Sequence, residues 1–255
     1  MVQGWHFTET DRLANGDGRP IILDEWLEWP APKLLVLCSS GLHLSERALD
    51  ALVYATGPIA WRVEADGEML RAPDKLVCRR RRAVARVDAT ALLRRFARAC
   101  ALDVAHLWEP PTIALRYLVD GDDTMRAAAS AVWATAEDAA VAWAASAASA
   151  SAAWVAWAAA KGAAWAAAWA TARAAVATAT EAAWMARAAA SDAQNTRLES
   201  WLLDATEGRE LPLAIAPDEI AEPAREVVRR WRQSPLPLAI SPDEEGMCGA
   251  WPHLS

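Results

Sequence analysis

Along the first half of the chain, apolar residues either alternate with polar ones or gather in short runs bounded by turn formers. This pattern predicts strands at Gly4–Thr8, Lys33–Cys38, Ile59–Ala65 and Lys75–Val87, with Asp66-Gly67 as a turn. Helices interrupt the strands. One starts at Ser45 or Glu46 and runs through Tyr54; another runs from Thr90 to about Leu107, with Asp88 placed to accept its first amides. After Pro110-Pro111 a short helix leads to Gly121. Residues 1–119 are therefore expected to form an α+β domain with its own core.

From about Asp123 to Ala190 the pattern changes to Ala, Trp, Ser and Thr. Alanine has the highest helix propensity and no side-chain entropy to lose, so residues 120–190 are expected to form a long helix or helical hairpin. Trp143, Trp154 and Trp165 are each eleven residues apart, Val132 and Val176 extend the series, and Trp157 and Trp169 lie beside it. Eleven residues make three turns at about 3.67 per turn, so these side chains form a nearly straight, hendecad-like stripe.

A tryptophan buries roughly 150 to 250 Å², an upper bound of about 4 to 6 kcal/mol at about 25 cal/mol per Å². A lone helix on the order of 100 Å long would leave that stripe wet. The expected architecture is a coiled coil or bundle, folded back at Gly162 or at Ser146–Ser151 and paired between copies as a homo-oligomer. The assembly surface would be Val132, Trp143, Trp154, Trp157, Trp165, Trp169 and Val176. A bundle formed within one chain is the alternative.

Residues 191–255 return to ordinary composition, with a helix expected over Thr196–Thr206 and a duplicated segment after it. Leu211-Pro212-Leu213-Ala214-Ile215-Ala216-Pro217-Asp218-Glu219 recurs as Leu236-Pro237-Leu238-Ala239-Ile240-Ser241-Pro242-Asp243-Glu244. Each copy reads as an extended apolar segment followed by a helix start, with Pro at the first helical position. Between the copies lies a helix ending in Val227-Val228-Arg229-Arg230-Trp231. The copies either clip onto grooves of their own fold or dock onto neighbouring subunits.

With 255 residues, 54% of them hydrophobic, the chain has enough apolar surface for a real core. A net charge of -7 argues against general nucleic-acid binding, which needs clustered Lys and Arg. Cys38, Cys78, Cys100 and Cys248 form no CxxC pair, and Met1–Asp11 lacks the character of a secretion signal, so a reducing cytoplasm is the expected home. A Cys38–Cys78 disulfide would require two neighbouring strands to bring them together. Ala139–Ala160 is uncharged and long enough to span a bilayer, but it lacks Leu, Ile and Phe, so no membrane span is expected.

No phosphate loop, dinucleotide fingerprint, metalloprotease helix or nucleophile elbow is present, and no metal site is expected from the scattered His and Cys. Arg79-Arg80-Arg81-Arg82 lies on one expected strand, so alternate arginines face opposite ways. They form either a solvated edge that blocks aggregation or a local phosphate site for a nucleotide or RNA, for which Arg79 and Arg81 are the candidates.

A resemblance adds a further expectation. The runs Leu37–Ser45, Ala48–Ala55, Arg62–Glu68 and Asp74–Val77, with Gly41-Leu42-His43 at their centre, resemble an uncharacterised phage and bacterial family, some of whose members carry tails rich in Ala, Trp and Arg. More remotely, the order resembles the ADP-ribosyltransferase fold. That likeness implies that His6, in Gly4-Trp5-His6-Phe7-Thr8, holds the nicotinamide ribose of NAD. His43 would take the place of the stacking tyrosine, and Asp74, or less favourably Glu68, would steady the ribosyl cation.

Two classes of function follow: a structural or interaction protein whose helices form a scaffold displaying the α+β domain, or an NAD-dependent ADP-ribosyltransferase. A non-catalytic nucleotide-binding module on the same fold is a third.

Overall fold

A computed structural model describes residues 1–14, 17–107, 110–125, 163–164, 166–168 and 180–233, with the side chains of the 180–206 helix described from 185 on. At its centre are two long antiparallel strands, β4 (Ile59–Arg71) and β5 (Leu76–Asp88), joined by a turn in which the Ala72 amide donates to the Lys75 carbonyl at 2.8 Å. β1 (Val2–Thr8) lies along β4, from Val2 opposite Ala65 to Thr8 opposite Ile59. Two short strands share the other edge of β5. β2 (Trp26–Glu28) faces Arg80–Arg82, and β3 (Leu42–Leu44) faces Leu76–Cys78.

Two local expectations fail here. Asp66-Gly67 is not a turn: β4 runs through it, and Gly67 adopts φ 78° where the register shifts between Asp66 and Met69. An Asp-Gly pair serves a bulge as well as a hairpin, since both need a left-handed residue. Lys33–Cys38 is not a strand either. The Val36 carbonyl accepts the Ser39 and Ser40 amides in a tight loop, and among the described residues no neighbouring strand offers it a ladder. The ladder goes to Leu42–Leu44 instead.

Helices α1 (Ala48–Val53), α2 (Thr90–Asp103) and α3 (Thr112–Asp120) follow the expected order. Asp88 Oδ1 accepts the Thr90 amide at 3.0 Å, as the position of that carboxylate before the helix implied. Two further helices are α4 (Thr180–Thr206) and α5 (Glu222–Gln233).

The architecture is α+β, with a helical C-terminal part. One apolar cluster lies inside the curl of the sheet and includes Leu42, Leu44, Trp61, Val63, Leu76 and Ala83. The other lies between sheet and helices, where Trp5, Phe7, Leu93, Phe96 and Leu118 meet Leu198, Trp201 and Leu202 of α4 and Val228 of α5. The second core thus crosses the composition boundary near residue 119. Ala163, Ala164, Ala166 and Ala167, from the alanine-rich region, belong to it. The stripe residues Val132, Trp143, Trp154, Trp157, Trp165, Trp169 and Val176, the bend candidates and the second copy of the duplicated segment lie outside the described residues.

The first copy is a strap across α2. Arg95 donates from Nε to the Pro212 carbonyl at 2.8 Å and from Nη2 to the Glu219 carboxylate at 2.6 Å, and Arg98 Nη2 donates to Leu213 O at 2.8 Å. An extended segment leaves its carbonyls unpaired, and the two buried arginines satisfy them. Among the described residues, no helix is long and apolar enough to cross a membrane.

Candidate functional site

β1 and β3 belong to opposite edges of the sheet, yet they meet where Trp5 and Ser45 exchange backbone hydrogen bonds of 2.8 and 3.1 Å. This contact requires Gly4, because a Cβ there would stand 2.4 Å from the Ser45 carbonyl oxygen. The closure leaves a cavity of about 450 Å³, lined by residues of β1, β3, α1, β5 and the segments flanking β2 and β3.

His6 sits opposite Trp61 on β4, and Ala65, four residues on along the same face, sits opposite Arg81. Since facing residues in an antiparallel pair share a side, His6 and Arg81 both point into the curl. Both line the cavity. The His6 side chain is half-buried, but its Nε2 is enclosed and has no hydrogen-bond partner. Its pKa is held well below 6.5, first by burial and then by the positive charge of Arg81 and by His43.

His43 also lines the cavity, with its ring engaged by its own loop. Nε2 accepts the Cys38 amide at 3.1 Å and the ring donates to the Gly41 backbone, which implies a neutral ring protonated at Nδ1. Burial lowers its pKa, opposed by the Gly41 bond. Cys38 adopts φ 64° to present its amide. His43 therefore organises the turn that forms the cavity wall.

Asp74 is not among the lining residues. It lies by the β4–β5 turn and accepts a hydrogen bond from the Tyr54 hydroxyl, and Tyr54 itself lines the cavity. That bond is the main cause of the raised Tyr54 pKa. Lys75 Nζ stands 3.9 Å from the centre of the Tyr54 ring, and its pKa is raised, first by the Cys38 side chain and then by Tyr54. Glu68 is exposed and accepts from Arg79 Nη2 at 2.6 Å, while Arg79 Nη1 donates to Lys33 O at 2.6 Å. Arg79 and Glu68 form an outer pair apart from the cavity.

The structure thus brings His6, His43 and Arg81 together and leaves Asp74, Glu68 and Arg79 outside. Arg80 and Arg82 face the other way, flanking the Trp26 ring at 4.6 and 5.1 Å and pairing with Glu28 and Glu64. Among the lining residues not singled out in the sequence are Asp17, Trp29, Tyr54 and Lys75. Trp29 follows β2, a strand too short to show a periodic signal, and its place is set by the pairing of Leu27 with Arg81 across the sheet. Among the described residues, no group of His, Cys, Asp and Glu is arranged to hold a metal ion.

The chemistry on offer is binding by donors. Among the described residues the one lining carboxylate, Asp17, is held by Arg19 at 2.7 and 2.8 Å, so none of them offers an unpaired acid to stabilise a cation. Comparisons of the chain with protein-family models, with curated proteins and with solved structures found no match.

Proposed function

We propose that the α+β domain is a non-catalytic binding module for a nucleotide-sized small molecule, carried on the helical region. The observation behind this reading is that buried polar atoms without partners, His6 Nε2 and Trp29 Nε1, belong to residues lining the same cavity as a buried guanidinium. Buried polar groups in folded proteins are almost always hydrogen-bonded, so orphans gathered round one space mark where a partner sits. The cavity's about 450 Å³ falls within the range of small-molecule sites, about 300 to 1,000 Å³.

NAD is the first ligand to try, on the resemblance carried by His6 and His43. Binding is expected without turnover, because Asp74 reaches the cavity only through Tyr54. Calorimetry with NAD and AMP tests the binding, and mass spectrometry for released nicotinamide tests the turnover. Release of nicotinamide that is abolished in Asp74→Ala would replace this reading with the transferase one.

A further inference from the structure

Arg81 is the most fully buried charged side chain among the described residues, with 1% of its surface exposed. Its one hydrogen bond among the described residues runs from Nη1 to the backbone carbonyl of His43, and it forms no ion pair there. Its strand neighbours Arg80 and Arg82 both pair with carboxylates. Asp17 is close enough to be felt, but its two oxygens are taken by Arg19 Nε and Nη2. Two guanidinium groups therefore share one carboxylate, and a positive charge is left over. Burial pulls the pKa of Arg81 down to about 10, so the group remains a cation at neutral pH.

A guanidinium has five N–H donors in a planar fork and no acceptor, and Arg81 uses one of them. Trp29 lies two residues beyond Leu27, which faces Arg81 across the sheet, and its indole N–H is buried without an acceptor. The ring of His6 completes the set from β1. Water satisfies an N–H but leaves a charge uncompensated, and an uncompensated buried charge is strongly unfavourable. The missing partner is therefore an acceptor that carries negative charge.

We infer that the Arg81 end of the cavity is an oxyanion site, which takes the phosphate or carboxylate of the cavity's ligand on the Arg81 fork and the Trp29 N–H. This rests on the reading of the domain as a small-molecule module and states which group of the ligand goes where. Asp17 also lines the cavity, but its charge is offset by Arg19 on both oxygens, which weakens its repulsion of an incoming anion. An anion beside His6 opposes the burial that keeps its ring neutral, so its pKa rises on binding.

The test uses the full-length chain and two ligand pairs that differ in one charged group, AMP against adenosine and nicotinate against nicotinamide, titrated calorimetrically. The anionic member of at least one pair binds about 10- to 100-fold more tightly, the range expected of a charged hydrogen-bonded contact. A ratio seen only in the first pair identifies phosphate, and one seen only in the second identifies carboxylate. Arg81→Met abolishes the ratio, Arg81→Lys keeps part of it by retaining the charge, and Trp29→Phe lowers it severalfold. Thermal unfolding checks that each variant folds, and Arg81→Lys carries the test if Arg81→Met does not.

Equal affinity for both members of each pair, or a ratio unchanged in the folded Arg81 variants, overturns the oxyanion site and leaves the module reading standing. If none of the four ligands binds, and millimolar inorganic phosphate shifts neither the Trp29 indole nor the His6 ring resonances, both fall.

Discussion

Burial keeps the His6 imidazole neutral, and this ties its ring to the pH dependence of stability. Its folded pKa lies below the 6.5 of the free side chain, so as pH falls through 6.5 the unfolded chain takes up a proton that the folded one refuses. Stability is thus full above 6.5 and is lost on acidification. Burial-depressed His43 and His106 act in the same direction. Melting temperatures between pH 7.5 and 5.0 should fall less steeply in His6→Asn than in the parent chain, and equal slopes would show that His6 is not buried as described. Gly121 makes a second residue-scale case. Its φ is 73°, and a Cβ there would meet the Arg98 guanidinium at 2.5 Å. Gly121→Ala is expected to cost about 1 to 3 kcal/mol in urea unfolding. The residue types that matter were visible early, since His6, His43 and Arg81 each carry chemistry. Asp74 was legible as an acid but not as one turned toward the Tyr54 hydroxyl, because a hairpin turn displaced from Asp66-Gly67 to residues 72–75 moves it to the cavity's rim.

Among elements, the strap and the β1–β3 contact carry the most consequence. Ile215 is 2% exposed at the centre of the strap, and its amide bonds to Val119 O at 2.8 Å. Ile215→Ala should destabilise by about 2 to 5 kcal/mol, measured by denaturant midpoint, because the arginines beneath hold the carbonyls in place and the site collapses little. Gly4→Ala should separate β1 from β3, since the clash is with backbone, and it should weaken ligand binding more than it lowers stability. Strands β1, β4 and β5 and all three N-terminal helices could be read from alternation and capping. β2 and β3 could not, because three residues carry too little periodicity and their pairing with successive stretches of β5 is decided across the sheet.

At the scale of the whole molecule, one core joins residues separated by most of the chain: Trp5 and Phe7 at one end, Ile220 and Val228 at the other. A chain ending at residue 179 lacks Leu198, Trp201 and Leu202, and it is expected to lose cooperative thermal unfolding; a sharp transition in that fragment would contradict the shared core. We further propose that the tryptophan stripe brings copies together. Light scattering at tens of micromolar should then give a mass above the 27.5 kDa of one chain, and a strict monomer would remove the scaffold reading. The sequence by itself determined the class of most elements and the change of character near residue 120, because propensity and periodicity are local. Only the tertiary structure decided that Arg81, alone of four consecutive arginines, is buried in a cavity with His6. That outcome depends on which face of β5 the curl encloses, and no local pattern contains it.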